Sequence, residues 1–219
     1  MIKLIIFDLD GTLVNTLKDI TIAVTHALNF KQGYGLSTFE VSKMIGEGAD
    51  VLIEKAIKKY PDAPKGRFDQ SVCLNRYLEY YEEHMYDFTK LYPGVFRAIG
   101  PLLKYHKMAV ISNKSVDFTR RILRHFYLWL PMEIVVGGDS LPEKKPSPMP
   151  CLYILKKLHI KPEEAILVGD TETDIKCGKA TGVKTVAATY GYGKPGFQWE
   201  ADYVIGDITE LPKIVKEIK

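Results

Sequence analysis

Six short runs rich in aliphatic and β-branched residues punctuate the chain, and their spacing limits the fold more than any other feature. They are IKLIIFD (2–8), KMAVIS (107–112), MEIVVGG (132–138), EAILVGD (164–170), VKTVAAT (183–189) and ADYVIGD (201–207). Several are apolar without alternation, the pattern of strands covered on both faces. Helical periodicity fills 93–105, 116–128, 148–159, 173–181 and 208–218. From residue 93 strand and helix therefore alternate, which predicts an α/β fold: a parallel sheet with helices on both faces.

The first run breaks this rhythm, because no second strand follows until residue 107. The interval reads as helical. Leu17, Ile20, Val24, Ala27 and Leu28 share one face, with Asn15 or Thr16 placed to cap it. Leu52, Ile53, Ala56, Ile57 and Tyr60 share a second face, and Phe68, Val72, Leu78, Tyr81 and Met85 a third. PDAPKG (61–66) separates the last two. The chain thus divides into a core of 1–16 plus 90–219 and a small α-helical insert, 17–89.

A length of 219 residues and 46% hydrophobic content suit one α/β domain with such an insert. The formal net charge of +3 is too small for a nucleic-acid surface. The densest basic run, Arg120, Arg121 and Arg124 with His125, reads as a solvated helix face. Cys73, Cys151 and Cys177 form no C-x-x-C pair, so neither a disulfide framework nor a zinc site is expected, and a reducing, cytoplasmic setting fits. No apolar run is long enough for a signal-peptide core or a span, and no membrane partner is expected. The five histidines are scattered. GYGKPG (191–196) has the G-x-G-x-x-G spacing of a dinucleotide site, but Pro195 and the lack of a following amphipathic helix argue for a loop. The Tyr-rich stretch 77–86 reads as helix packing.

Chemistry gathers at strand ends. FDLDGT (7–12) closes an apolar strand with Asp8 and Asp10, whose charges are costly to bury unpaired. Ser112 and Asn113, Gly137 to Asp139, and Gly169 and Asp170 end three other strands. Ligands of open α/β sheets bind outside the carboxyl ends of the strands, which collects these residues around one crevice. Asp8, Asp10, Asp170 and Asp174 cannot all stay ionised there without a cation. Oxygen donors without clustered His or Cys favour a hard ion, most simply Mg²⁺. With Lys145 as a fixed positive charge, the set suits a phosphoryl group.

DLDGT (8–12), ISNK (111–114), KP (145–146) and GDTETD (169–174), in that order, resemble the four motifs of haloacid dehalogenase-like phosphatases. The resemblance covers the whole chain and implies a Rossmann-like core with a helical cap inserted after the first motif. GGDSLPEKKPSPMP (137–150), TYGYG (189–193) and GEGADVLIEKA (46–56) look like phosphoglycolate phosphatases. Asn15 stands where the family usually has Asp.

The resemblance implies Asp8 as the nucleophile that forms an aspartyl-phosphate and Asp10 as the general acid and base. It implies a Mg²⁺ held by Asp8, the Asp10 carbonyl and Asp170, with Asp174 binding through water or supporting the others. Ser112 and Asn113 would hold phosphate oxygens, and Lys145 would neutralise charge. Gly11 and Thr12 would complete the phosphate site. In the cap, the IGEG turn either brings backbone N–H groups of Gly46, Glu47 and Gly48, with Lys43, to the substrate carboxylate or simply joins two cap helices. The substrate implied is a small phosphorylated metabolite, 2-phosphoglycolate first, and the assembly a monomer or homodimer. The alternatives are another phosphatase (of pyrophosphate or sugar phosphates), a β-phosphoglucomutase-like phosphotransferase, and an inactive phosphate-binding regulator.

Overall fold

The computed structural model describes residues 1–30, 35–61, 67–194 and 196–218. Most of the break PDAPKG, residues 62–66, and Pro195 of the GYGKPG loop lie outside the described residues.

The chain forms two compact units, Met1–Asn15 with Leu91–Lys219, and Thr16–Lys90. The first is built on a six-stranded parallel sheet. Its strands are β1 (Leu4–Phe7), β4 (Lys107–Ile111), β5 (Met132–Val136), β6 (Ala165–Gly169), β7 (Lys184–Ala188) and β8 (Tyr203–Ile205), in the order β5-β4-β1-β6-β7-β8. Two further short strands, β2 (Val14–Asn15) and β3 (Lys90–Leu91), pair as a separate ribbon.

All four residues of β1 are buried, as are Ala165 to Gly169 of β6. This is why neither run alternates: each face is covered by helices. On one face Leu4, Ile6, Ala109, Ile111 and Leu167 pack with Cys151, Ile154 and Leu155 of α7 (Met149–Leu158) and with Cys177 of α8 (Glu172–Thr181). Helices α5 (Val95–Leu103), α6 (Val116–His125) and α9 (Leu211–Glu217) complete the unit. The three cysteines are buried and unpaired.

Phe7 pairs with Val110 on one side and Val168 on the other. Central β1 therefore ends level with β4 and β6, and the residues just beyond all three strands are neighbours. The crossovers run from β1 outward to β5 and then return beyond β1 to β6, so the switch point lies at these same ends.

The second unit holds α1 (Leu17–Ala27), α2 (Thr38–Ser42), α3 (Ala49–Ile57) and α4 (Gln70–His84). Thr16 occupies the N-cap position of α1 but makes no side-chain capping bond. Helix α2 is short and has little apolar periodicity. It starts at a capping box in which Ser37 and Glu40 satisfy each other's backbone N–H groups. The third apolar face agrees with the expected one at its carboxyl end, where Tyr81 and Met85 are buried, and differs before it. Val72 is exposed, and α4 buries Cys73 and Tyr77, which fall with Tyr81 at four-residue spacing. Asp19 of α1 is buried and accepts from the backbone N–H groups of Phe88 and Thr89 and from the Thr89 hydroxyl. Among the described residues, no helix is long and apolar enough to cross a membrane.

Candidate active site

The β1 strand delivers Asp8 to the centre of the sheet's carboxyl edge, where its backbone N–H donates to the Val168 carbonyl. One carboxylate oxygen, Oδ1, accepts from Lys145 Nζ at 2.7 Å. Among the described residues, Oδ2 has no hydrogen-bond donor. Lys145 is buried with all three ammonium protons engaged, by Asp8 Oδ1, Asp174 Oδ1 at 2.5 Å and the Ile111 carbonyl at 3.0 Å. Its backbone is clamped by Asn113, whose side-chain amide donates to the Lys145 carbonyl and accepts from the Lys145 N–H. Asn113 follows β4, so the clamp fixes the Lys145 loop to the sheet.

Asp170 and Asp174 come from the turn between β6 and α8. Thr12 Oγ1 donates to Asp170 Oδ1 at 3.0 Å, and the Tyr192 N–H donates to Asp170 Oδ2 at 2.7 Å. Asp174 Oδ2 accepts from the N–H and hydroxyl of Thr171, closing a capping box at the start of α8. Both Asp174 oxygens thus have protein partners. Asp8, Asp170 and Asp174 present carboxylate oxygens within 4.8 Å of one another, all buried.

This crowding has electrostatic consequences. Burial raises the Asp8 carboxyl from 3.8 to about 7, with Lys145 opposing and Asp174 and Asp10 reinforcing the rise. Burial, then Asp8 and Asp174, lift Asp170 well above the ordinary range. Burial works against the Lys145 charge, but Asp174 and Asp8 overcome it and the group is held protonated. One ammonium among three carboxylates leaves a charge deficit that a divalent cation matches, and the donors are all oxygen.

Asp10 does not join the three-carboxylate cluster. Its carboxylate is 3.3 Å from the Lys114 ammonium, a group that sequence reasoning left without a role. Ser112 is buried just beyond β4, and its hydroxyl accepts from the Lys114 N–H. Gly11 has φ +92°, and a Cβ there would stand 2.1 Å from Asp170 Oδ2, so only glycine lets the turn reach this carboxylate. The Gly11 N–H donates to the Val14 carbonyl and the Thr12 N–H to the Leu9 carbonyl, so both residues build the turn that holds Asp170.

The remaining predicted residues lie in the helical unit. Lys43 caps the end of α2, with its ammonium 3.7 Å from the Phe39 ring centre. Gly46 and Gly48 have positive φ, and Glu47 pairs with Lys55. Tyr190 and Tyr192 of the TYGYG stretch make contacts at the site that the sequence pattern does not report. Tyr190 donates its hydroxyl to the Thr12 carbonyl, Tyr192 donates to Asn15 Oδ1, and Gly191 packs so closely on Asp170 that a Cβ would be 2.4 Å from Oδ2. A 3₁₀ turn, Phe197–Glu200, follows this loop, not the helix a dinucleotide site requires.

The profile of haloacid dehalogenase-like hydrolases matches residues 5–188. The chain belongs to the haloacid dehalogenase-like hydrolases. A phosphoglycolate phosphatase of Aquifex aeolicus is 36% identical over 97% of this chain and 96% of its own length. Phosphoglycolate phosphatase 1 of Pseudomonas aeruginosa is 34% identical over 95% of this chain and 78% of its own. A crystal structure of a predicted phosphoglycolate phosphatase from Haemophilus somnus superposes with a TM-score of 0.89, at 32% identity and 97% coverage of both chains. Within this hydrolase family the chain is a phosphatase.

Proposed function

We propose that this phosphatase is a Mg²⁺-dependent phosphomonoester hydrolase that acts through an aspartyl-phosphate on Asp8, with 2-phosphoglycolate as its substrate. The observation that carries the reading is Asp8 itself. It is a buried carboxylate with one oxygen fixed by Lys145 and the other without a donor among the described residues. Such a group is oriented for attack and is not consumed by structural bonds.

Asp8 attacks phosphorus and displaces the alkoxide. Asp10, set apart from the carboxylate cluster, protonates that leaving group and then takes a proton from the water that hydrolyses the aspartyl-phosphate. Lys145 offsets negative charge between Asp8 and the phosphoryl group, and Asn113 keeps its main chain in place. The Ser112 hydroxyl and the Asn113 N–H bind phosphoryl oxygens. Asp8, the Asp10 carbonyl and Asp170 would hold Mg²⁺, with Asp174 supporting Lys145 and the α8 turn. When bound, the ion supplies positive charge that favours the ionised carboxylates and the approach of a phosphate dianion.

The preference for 2-phosphoglycolate rests on the names of the relatives and on the helical unit as a cap. There the glycine-flanked turn 45–48, with Lys43, is suited to a substrate carboxylate. Phosphate release from a panel of phosphomonoesters and pyrophosphate tests this. The highest kcat/KM should belong to 2-phosphoglycolate, and chelation should abolish turnover until Mg²⁺ is restored. A clearly higher kcat/KM for hexose phosphates or pyrophosphate would overturn the substrate assignment.

A further inference from the structure

The amino-terminal edge of the sheet, opposite the catalytic residues, carries apolar side chains that nothing in its own unit covers. The turn between α6 and β5 reads Phe126-Tyr127-Leu128-Trp129-Leu130-Pro131. Leu128 is buried and anchors the turn, whereas Tyr127 is 83% and Leu130 92% exposed. Tyr127 has φ +58°, the left-handed position that ends α6, where the Leu128 N–H donates to the Leu123 carbonyl, and its ring is left in solvent. Trp129 lies between them, with the guanidinium carbons of Arg124 and Arg120 at 4.7 and 5.9 Å from its ring centre.

The surface continues from this turn. Pro131 and Tyr105 line one recess of about 590 Å³, and Tyr105 is 70% exposed. Lysines 3, 104 and 107 border the same recess. Lys3 and Lys107 have carboxylate partners in Glu164 and Glu133, whereas Lys104 lies over the Tyr105 ring. Cations therefore outnumber carboxylates along an edge from which aromatic and aliphatic side chains protrude. Isolated exposed apolar residues need no explanation, but a cluster with a polar rim marks a contact surface, and this rim is net cationic.

We propose that this edge docks on the surface of an anionic lipid bilayer. Tyr127, Trp129 and Leu130 would enter the headgroup layer, and Arg120 and Arg124 would meet lipid phosphates. A second copy fits less well, because a two-fold contact brings the same net-cationic patch to both sides of the interface. The catalytic residues lie at the other end of the strands, so docking leaves them open to substrate. The sequence expectation of no membrane partner rested on the lack of a spanning run, and a surface contact of this kind requires none.

Sedimentation of the full chain with phosphatidylglycerol–phosphatidylcholine vesicles, against pure phosphatidylcholine, tests the proposal. In a Trp199→Phe background, quenching by brominated lipid reports on Trp129. The chain should pellet with anionic vesicles only, release with added salt, and show quenched Trp129 emission. Tyr127→Ser/Leu130→Ser and Arg120→Glu/Arg124→Glu should each weaken binding tenfold or more, with phosphatase activity in solution and melting temperature retained. Absence of anionic-vesicle binding, equal binding to phosphatidylcholine, or binding unchanged in both variants would overturn it. So would a concentration-dependent dimer that the same substitutions abolish in a chain that ignores vesicles.

Discussion

The Lys145 ammonium lies 2.7 Å from Asp8 Oδ1, with both side chains almost wholly withdrawn from solvent. Removing one partner leaves the other charge buried without compensation. Lys145→Met is expected to cost about 3–5 kcal/mol of stability in the metal-free protein. Phosphatase activity should fall by roughly 10²-fold or more, since fixed positive charge at the phosphoryl group is lost. Urea unfolding and phosphate release measure the two effects, and unchanged stability would show that Lys145 does not balance the carboxylates.

The same crowding sets a pH dependence. The Asp8 carboxyl, raised by burial against the opposing pull of Lys145, titrates at about 7 in the folded metal-free protein and near 3.8 when unfolded. Between those values the unfolded chain releases a proton that the folded chain keeps. The associated stability is full below about 3.8 and is lost as pH rises through about 7. The melting temperature of metal-free wild type should therefore decline with rising pH relative to Asp8→Asn, and saturating Mg²⁺ should narrow the difference. A wild type that gains stability over Asp8→Asn as pH rises through this range would contradict the assignment.

Gly191→Ala tests the tyrosine-flanked loop. Its Cβ would fall 2.4 Å from both Asp170 Oδ2 and the Gly11 carbonyl, so Asp170 must shift. Groups that orient a metal ligand typically contribute about 10–100-fold in metal affinity. The Mg²⁺ concentration for half-maximal activity should rise by that order, while turnover at saturating Mg²⁺ falls less. An unchanged Mg²⁺ requirement would place Asp170 outside the metal site.

The parallel core was legible because β1 and β6 are buried on both faces, which leaves continuous apolar runs in the sequence. The acids at their ends were legible for the converse reason: charge directly after such a run has no apolar use. The clamp of Asn113 on Lys145 was not legible, since the partners are 32 positions apart and meet only through sheet register. The pairing of Asp10 with Lys114 was hidden in the same way. Helix α2 escaped because five residues carry too little periodicity. Val72 was misplaced because α4 buries a Cys73-Tyr77-Tyr81 stripe, and tyrosines also suit a half-exposed face. The engagement of the Arg120 to Arg124 run with Trp129 depends on the turn after α6, which periodicity does not report.

Asp19 predicts a local effect within the helical unit. Its carboxylate holds the Phe88 and Thr89 N–H groups and the Thr89 hydroxyl. Asp19→Ala leaves these donors without an acceptor and should cost about 1–3 kcal/mol. Amide hydrogen exchange at Phe88 and Thr89 should accelerate. Exchange that stays slow at both would show that other contacts hold this segment.

The division of labour between Asp8 and Asp10 is tested most directly by trapping the intermediate. Asp10→Asn keeps the backbone carbonyl and loses the acid and base. With an activated aryl phosphate, whose leaving group needs little protonation, Asp8 can still attack while water lacks its base. Intact-protein mass spectrometry after an acid quench should show one added phosphoryl group on Asp10→Asn, mapped by peptide analysis to Asp8, and none on Asp8→Asn. A phosphorylated Asp8→Asn protein, or a label on any other residue of Asp10→Asn, would contradict the mechanism.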